Sequence, residues 1–233
     1  MGAALHDELV EVRVDRNGIF SVEARETEIG FVLAGGRSSR MGSDKALALF
    51  HGVPLIQAAL QTIDAVGISA RIAGARSDLS SFAAQIPDTF AETGPLGGIH
   101  AALSASDAEW NLFLPVDLPL MPSSLLACLL QRAMLTGAPV TAAELNGRIE
   151  PFPVVLHRAV FPSITQRLET GNSACHAAWQ SIPAELDSTL DAAPAEYLHQ
   201  CGHCSHPRGF PPILWFQSAN TPAELSRLNR LGA

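Results

Sequence analysis

The sequence predicts an α/β fold with a doubly wound, mostly parallel β-sheet. From residue 29 onward, short apolar segments alternate with segments of helical length. The apolar segments 29–34 and 110–116 are continuous enough to be buried on both faces, as strands of parallel sheets are. Strands that alternate with helices in this way form right-handed βαβ units, and these units build such a sheet.

The N-terminal segment has a different pattern and predicts a short β-hairpin. Apolar residues alternate with polar ones over 10–14 and again over 20–24, and Asn17-Gly18 between them is typical of a tight turn. We therefore expect an N-terminal extension at 1–28 and a single α/β domain at 29–233.

The elements of that domain follow from its apolar periodicity. Its first half predicts, in order, a strand at 29–34, a helix at 53–66, a strand at 68–73, a helix at 78–85, a helix after residue 94, a strand at 110–116 and a helix at 123–135. Its second half predicts strands at 139–143 and 148–156, helices near 158–169 and 173–180, a long loop rich in Pro, His and Gly at 191–212, a strand at 213–216 and a helix at 222–231.

The composition excludes several classes of function. A hydrophobic content of 47% in 233 residues is enough for a sizeable core, and the net charge of −8 disfavours nucleic acid and anionic membranes as partners. No apolar stretch approaches the roughly 20 residues of a membrane span, and the first residues lack the pattern of a signal peptide. A cytoplasmic location is the expectation.

The four cysteines do not form a disulfide framework in a chain of this length. The run from Cys201 to His206 contains two cysteines and two histidines and resembles half of a zinc site. A closed zinc site usually takes ligands from two separate segments, so a polar loop is the favoured interpretation.

The strongest chemical signal is a loop after the strand at 29–34. Leu33 and Ala34 lead into Gly35-Gly36, where the backbone can turn sharply and expose N–H groups to an anion. Arg40 follows, and the loop ends at Lys45, the only lysine of the chain. A compact ammonium at this place is typical of a phosphate-binding group. The pattern predicts a polyphosphate site.

Two better-known phosphate loops do not fit this segment. Five residues separate Gly36 from Gly42, and two more precede Lys45, so the P-loop spacing is absent. No G-x-G-x-x-G occurs either, which excludes the dinucleotide fingerprint. The alternative is an ordinary strand-to-helix turn with solvated arginines.

Two aspartates complete the candidate site. Asp117 follows the strand at 110–116, where ligands of open α/β sheets bind, and a single carboxylate beside phosphates is a typical Mg²⁺ ligand. Asp117 could instead cap the following helix. Asp88 precedes the glycine-rich segment 94–98 and could accept a hydrogen bond from a ribose hydroxyl or a base, or could be a turn aspartate.

Four motifs together carry a family resemblance: Leu-Ala-Gly-Gly-x-Ser-x-Arg-Met-Gly-x-Asp-Lys-Ala at 33–46, Gly-Pro-Leu-Gly-Gly-Ile at 94–99, Pro-Val-Asp-Leu-Pro at 115–119 and Asn-Thr-Pro-x-Glu-Leu at 220–225. In order and spacing they closely resemble the MobA-like nucleotidyltransferases, and among these the molybdenum cofactor guanylyltransferases. The resemblance covers about 28–231.

The resemblance implies a Rossmann-like nucleotidyltransferase domain that uses Mg²⁺. The implied reaction transfers GMP from GTP to the terminal phosphate of the molybdenum-molybdopterin cofactor and releases pyrophosphate; molybdoenzymes or their chaperones would receive the product. The resemblance implies that the backbone of Leu33, Ala34 and Gly35 binds the nucleotide, that Lys45 binds its phosphates, and that Asp88 lies near the nucleoside. It implies Asp117 as the Mg²⁺ ligand beside the nucleotide. The loop itself adds Gly36 to the nucleotide-binding residues and Arg40 to the catalytic candidates Lys45 and Asp117.

One departure from the family pattern concerns the base. The family often has an asparagine after its second strand, whereas 72–76 reads Ile-Ala-Gly-Ala-Arg. A cytidylyltransferase acting on the same cofactor is therefore the nearest alternative, although those enzymes more often have Leu-Ala-Ala-Gly at the first motif. A sugar-phosphate nucleotidyltransferase or a non-catalytic nucleotide-binding scaffold is a more distant one.

Overall fold

A computed structural model of the chain describes residues 9–14, 20–34, 44–74, 76–90 and 93–231. The strands are β1 (Leu9–Val14), β2 (Phe20–Arg25), β3 (Glu28–Leu33), β4 (Leu49–Phe50), β5 (Val53–Pro54), β6 (Ala70–Ala73), β7 (Gln85–Ile86), β8 (Trp110–Pro115), β9 (Val140–Leu145), β10 (Arg148–His157) and β11 (Asp191–Pro194). The helices are α1 (Leu55–Asp64), α2 (Pro95–Ser104), α3 (Ser123–Thr136), α4 (Phe161–Glu169), α5 (Cys175–Glu185), α6 (Ala195–Gln200), α7 (Pro212–Trp215) and α8 (Pro222–Asn229).

Seven of the described strands form the central sheet, in the order β11-β9-β10-β8-β3-β6-β7. β3 pairs in parallel with both β6 and β8, and β11 pairs in parallel with β9. Within the described sheet β10 alone is antiparallel to its neighbours. The expected α/β fold with a doubly wound, mostly parallel sheet is confirmed.

Both faces of the sheet are covered, and the central strands are therefore buried almost throughout. Leu112 and Leu114 of β8 pack with α1 and α3, whereas Phe113 between them packs with α2, α4 and α5 on the other face. Phe113 stacks on Phe31 of β3 with ring centroids 5.3 Å apart. Such continuous burial is why the sequence of these strands reads as unbroken apolar runs.

In the N-terminal segment, β1 and β2 are antiparallel and pair from Leu9 with Arg25 to Val14 with Phe20. The Asn17-Gly18 turn lies outside the described residues. The division into an extension at 1–28 and a domain at 29–233 stays a prediction.

The prediction of a helix at 78–85 is wrong. A single 3-10 turn, Ser77–Leu79, stands there, and the chain then extends into β7. The Ala84 carbonyl accepts from the Ile72 amide at 2.8 Å, and the Gln85 side chain bonds both the N–H and the C=O of Arg76 at 2.7 Å. A backbone that pairs with a neighbouring strand cannot also close helical turns.

Two expectations near the C-terminus are wrong as well. The long loop at 191–212 contains β11 and α6, because Asp191 is tied to Arg132 of α3 and the following residues add a strand to β9. The strand at 213–216 is the short helix α7, which starts on proline. The apolar residues at 213–216 are explained by the complete burial of Trp215 in a helix, and they do not form a strand.

Candidate functional site

The site is built where β3 and β8 end side by side. Leu33 and Pro115 are paired at the ends of these strands, and the Val116 amide donates to the Leu33 carbonyl at 3.2 Å. Since the strands are parallel, the segments that follow them leave the sheet at the same edge. One segment leads to Lys45 and the other to Asp117.

Lys45 and Asp117 meet at this edge. The Lys45 Nζ donates to Asp117 Oδ2 at 2.7 Å, although 72 residues separate the two. Both side chains are mostly shielded, with 17% and 18% of their surface exposed. The structure thus brings together two of the site residues predicted from sequence.

Asp117 does not cap the helix that follows it. α3 begins at Ser123, its N-cap is Pro122, and no side chain caps it. The backbone carbonyl of Asp117 instead accepts from the Ala219 amide at 2.9 Å, which joins the segment to the C-terminal part of the chain. The capping alternative for Asp117 is therefore wrong.

Asn220 is a third member of the cluster, and it was not among the site residues predicted from the sequence. Its Oδ1 accepts from Lys45 Nζ at 2.5 Å, across 175 positions of sequence. The Asn220 Nδ2 donates to Ser218 Oγ at 2.7 Å, and its backbone N–H donates to Glu224 Oε2 at 2.8 Å. A signal was present in the motif at 220–225, but that motif alone does not tell which distant side chain Asn220 meets.

A capping box holds Asn220 in place. Thr221 is the N-cap of α8 and accepts from the Glu224 amide, while the Glu224 carboxylate accepts in return from the Thr221 amide. Because the same carboxylate also binds the Asn220 amide, the start of α8 fixes the backbone next to Lys45.

An arginine secures the residue before Lys45. Asp44 Oδ1 caps the Ala46 amide at 2.9 Å, and its other oxygen pairs with Arg76. Arg76 also binds Asp78 at 2.6 Å, and the hydrogen bond from Arg76 is the main cause that lowers the pKa of Asp78. Arg76 thus ends the segment in which the family often has an asparagine, and its charge is engaged by two carboxylates.

A second group of predicted residues surrounds the beginning of α2. Leu33 and Ala34 are buried, and the Ala34 amide donates to the Ala73 carbonyl at 3.3 Å. Asp88 lies close to Leu33. Both side chains border Gly98 of α2, since a methyl group placed there would be 3.6 Å from Asp88 Oδ1 and from Leu33 Cδ2. The Asp88 side chain is open to solvent, yet the nearby protein surface raises the pKa of its carboxyl through partial desolvation.

Gly97 allows the segment after Asp88 to pack against α2. A Cβ at Gly97 would lie 2.1 Å from Thr93 Oγ1 and 3.2 Å from the Phe90 carbonyl oxygen, so no larger residue fits without movement. The glycines of the 94–98 segment are therefore explained in part by packing, in addition to any role near a ligand.

Three of the predicted residues, Gly35, Gly36 and Arg40, lie outside the described residues. Their places beside the phosphate groups stay predictions.

A cavity of about 250 Å³ adjoins Asp117 on the side of β10. Its lining includes Pro115, Asp117, Glu150, Phe152, Phe216 and Asn220. Asp88 and Leu33 lie on the other side, toward β6 and β7. The Lys45–Asp117 pair therefore stands between this cavity on one side and the Leu33 and Asp88 positions on the other, at one edge of the sheet.

The described residues contain no group of three or more His, Cys, Asp and Glu side chains that could hold a metal ion by themselves. This includes the run 201–206, where Cys204 is buried with its Sγ 3.6 Å from the Ser124 carbonyl oxygen and Cys201 is exposed. In the same part of the chain, no helix is both long and apolar enough to cross a membrane.

Comparison with known proteins gives the same family as the sequence motifs. The profile of the MobA-like NTP transferase domain matches residues 30–184. The molybdenum cofactor guanylyltransferase of Aliivibrio fischeri is 33% identical over 145 residues, covering 60% of this chain and 74% of that protein. The enzyme of the same name from Vibrio atlanticus is 28% identical over 204 residues, covering 86% of this chain and 94% of that protein.

A solved structure shows the same fold. The molybdopterin-guanine dinucleotide biosynthesis protein A of Archaeoglobus fulgidus superposes with a TM-score of 0.68, at 19% identity, over 88% of this chain and 97% of its own. The profile match covers more than half of the chain. The chain therefore belongs to the MobA-like NTP transferase domain family, and it is a nucleotidyltransferase.

Proposed function

We propose that this enzyme transfers GMP from GTP to the terminal phosphate of the molybdenum-molybdopterin cofactor and releases pyrophosphate. The observation that carries the proposal is the Lys45–Asp117 pair at 2.7 Å, which lies at the carboxyl edge of the sheet beside the cavity of about 250 Å³. The side toward β6 and β7, where Leu33 and Asp88 lie, suits the nucleotide, and the cavity on the β10 side suits the phosphate-bearing acceptor.

The choice of substrates takes its support from the relatives. Proteins from Aliivibrio fischeri and Vibrio atlanticus that match this chain are named molybdenum cofactor guanylyltransferases. We extend that activity to this chain, together with its expected setting: a cytoplasmic enzyme whose product passes to molybdoenzymes or their chaperones.

In this proposal the nucleotide binds on the β3–β6–β7 side. The backbone at Leu33, Ala34, Gly35 and Gly36 follows its phosphates, and Arg40 and Lys45 neutralise their charge. Asp88, which has no hydrogen-bond donor among the described residues, accepts from the ribose or from the base.

The residues present fit a magnesium ion held at Asp117. Oδ2 of Asp117 is bound by Lys45, whereas no described residue donates to Oδ1. A lone carboxylate without a surrounding cluster matches Mg²⁺, which keeps several waters and takes its other ligands from substrate phosphates. When bound there, the ion would neutralise negative charge on the phosphates.

The chain needs no general base for this reaction. The attacking group is a phosphate, which is largely ionised at neutral pH because its second pKa is about 6. The enzyme therefore positions the attacking oxygen in line with the α-phosphate of GTP and stabilises charge as pyrophosphate leaves. Lys45 is placed to do so, since two of its three donors serve Asp117 and Asn220, and the third has no acceptor among the described residues and can bind a phosphate oxygen.

A nucleotide panel tests the proposal. Pyrophosphate release is measured with molybdate-loaded cofactor and GTP, CTP or ATP, and GTP is expected to give the highest kcat/KM. If Asp88 binds the base, Asp88→Ala should lower the ratio of kcat/KM for GTP to that for CTP. If Asp88 binds the ribose, kcat/KM should fall alike for all three nucleotides. Better use of CTP than of GTP by the wild-type enzyme would overturn the guanylyl assignment.

A further inference from the structure

The pairing of β10 with β9 is interrupted next to Asp117. Ile149 pairs with Glu144 and Val154 with Ala142, so residues 150–153 of β10 stand opposite Ala143 alone. We call residues 150–153 the β10 bulge. Bulges take residues out of the hydrogen-bonded ladder and are frequent beside active sites, where they redirect side chains.

The β10 bulge is held from behind by α5. Trp179 is fully buried, and its Nε1 donates to the Pro151 carbonyl at 2.9 Å. Because this indole is itself packed in the core, the bond holds the backbone of the bulge at Pro151. Preorganisation of this kind is what a binding surface requires.

Three bulge residues face the cavity of about 250 Å³ beside Asp117. Glu150, Pro151 and Phe152 form one wall, and Phe216 and Asn220 belong to the rest of the lining. Burial raises the pKa of the Glu150 carboxyl, and the charge of His176 opposes this shift. Among the described residues no side chain or backbone group donates a hydrogen bond to Glu150, so both of its carboxylate oxygens are available to a ligand.

We propose that Glu150 recognises the N–H edge of a 2-amino-4-oxopyrimidine ring, with Phe152 and Phe216 against the faces of the ring. This inference rests on the proposed function. The ring presents a ring N–H and an amino N–H side by side, and a carboxylate can accept both in the bidentate manner in which it accepts a guanidinium. Aromatic side chains along the faces supply the apolar contact that such a flat ring needs.

Two substrates of the proposed reaction carry this edge: the pterin of the acceptor and the guanine of GTP. The position of the cavity favours the pterin. Glu150 lies on the β10 side of Asp117, whereas Leu33 and Asp88 of the expected nucleotide site lie on the β3–β6–β7 side. The experiment has one arm for each source.

The first arm uses Glu150→Gln and two small probes, 6-hydroxymethylpterin and 6-hydroxymethyllumazine, which has a carbonyl in place of the 2-amino group. We expect the wild-type protein to bind the pterin more tightly, by roughly 10- to 100-fold for hydrogen bonds to a charged group. The glutamine amide offers an N–H to the lumazine carbonyl, so the variant should lose or reverse this preference. Fluorescence titration of each ligand measures it.

Two further variants keep the result interpretable. Glu144→Gln changes a partly buried glutamate of β9 outside the cavity and should keep the wild-type preference. Glu150→Asp keeps the carboxylate but withdraws it, so it should weaken pterin binding without favouring lumazine. Equal pterin-to-lumazine ratios in wild type and in folded Glu150→Gln would overturn the inference.

The second arm compares GTP with inosine triphosphate, which lacks the 2-amino group. The ratio of GTP affinity to ITP affinity should be the same in wild type and Glu150→Gln. If this ratio changes while the ratio of pterin affinity to lumazine affinity does not, Glu150 recognises the guanine, and the assignment to the acceptor is overturned. Pyrophosphate release by the wild-type enzyme is measured in parallel. Its absence with every nucleotide refutes the proposed function, whereas the pterin titration does not depend on transfer.

Discussion

An ammonium group suits the position of Lys45 better than a guanidinium would. Its Nζ lies 2.7 Å from Asp117 Oδ2 and 2.5 Å from Asn220 Oδ1, in a place where 17% of the side chain is exposed. A compact point charge with three donors can serve both oxygens and a phosphate, whereas the planar fork of arginine fits one flat acceptor. The other cationic side chains of this chain are all arginine, so the single lysine is a specific choice.

Replacing Lys45 with alanine should lower kcat by on the order of 10²–10³, the range seen when one donor to a transition state is removed. The fold should persist, because the side chain lies at the edge of the sheet and not in the core. Steady-state kinetics and thermal unfolding of the same preparation measure both effects. Arg71→Ala, which removes a cation paired with Glu26 at 3.5 Å away from the site, is the control and should keep full turnover.

The unique lysine also offers a chemical check. An amine-directed reagent can modify Lys45 and the N-terminus alone. GTP with Mg²⁺ should protect Lys45 from the reagent while the N-terminus still reacts. Wild-type turnover in a folded Lys45→Ala protein would remove Lys45 from the mechanism.

Asp117→Asn should abolish the Mg²⁺-dependent activity while metal-free GTP binding changes much less. Asparagine keeps the shape but not the charge that holds a hard cation. The stability cost should be small, on the order of 1 kcal/mol, since the pair with Lys45 is partly solvated. Activity is titrated against Mg²⁺ for the variant and for Asp107→Asn, whose carboxylate is 83% exposed. Unchanged magnesium dependence in Asp117→Asn would exclude it as the metal ligand.

At the level of elements, the sequence predicts the central strands well because their burial on both faces leaves an unmistakable apolar run. β3 and β8 show this, and α3 follows from its length and from the glycine that ends it. β11 could not be predicted in the same way. It is a four-residue strand, Asp191–Pro194, whose place depends on Arg132 in a distant helix.

The same distinction holds for the site. Lys45 and Asp117 each carry a local signal, a lone lysine after glycines and a carboxylate at the end of a strand. No local sequence signal is sufficient to identify Asn220 and Arg76 as site residues, because their roles come from partners far away in sequence. Long-range contacts between polar side chains leave no periodicity to read.

The packing of α2 on α4 contains a titratable group. His100 of α2 is 7% exposed; its Nδ1 lies 3.0 Å from Thr89 Oγ1, and its ring contacts Phe90 and Phe161 at 4.8 and 4.9 Å between centroids. Burial lowers the pKa of His100, and the charge of Glu169 opposes this shift. The neutral imidazole thus supports the loop that carries Asp88.

Stability should therefore fall as the pH drops below the ordinary histidine range. The unfolded imidazole binds a proton near pH 6.5, and the folded one binds it only at lower pH, so between these values the unfolded state holds more protons and is favoured by acid. Urea unfolding at pH 7.5, 6.5 and 5.5 measures the loss. His100→Gln cannot titrate and should show a shallower decline than wild type; since His206 also has a lowered pKa, some decline remains. Identical slopes in both proteins would contradict this role of His100.

At the scale of the whole molecule, the C-terminal part of the chain completes a site that begins near its N-terminus. After β11 and α6 the chain crosses the face covered by α3, buries Trp215, and reaches Asp117 through the Ala219 amide. Asn220 then contacts Lys45, and the capping box of α8 holds this part of the chain in place. In the proposed reaction, Lys45 would thus stand between the nucleotide and the acceptor and align both substrates on a common phosphate position.

A double-mutant cycle between Lys45 and Asn220 tests this closure. Asn220→Ala alone should lower turnover by about 5-fold, the equivalent of one hydrogen bond of about 1 kcal/mol. In the Lys45→Ala background the same change should have little further effect, because residues that act as a unit are not additive. Asn229→Ala is the matched control: it is also an asparagine of the C-terminal segment, bonded to the His51 amide at 2.7 Å, and it should leave turnover unchanged. If the two losses of turnover simply multiply in the double variant, the contact between Lys45 and Asn220 does not serve catalysis.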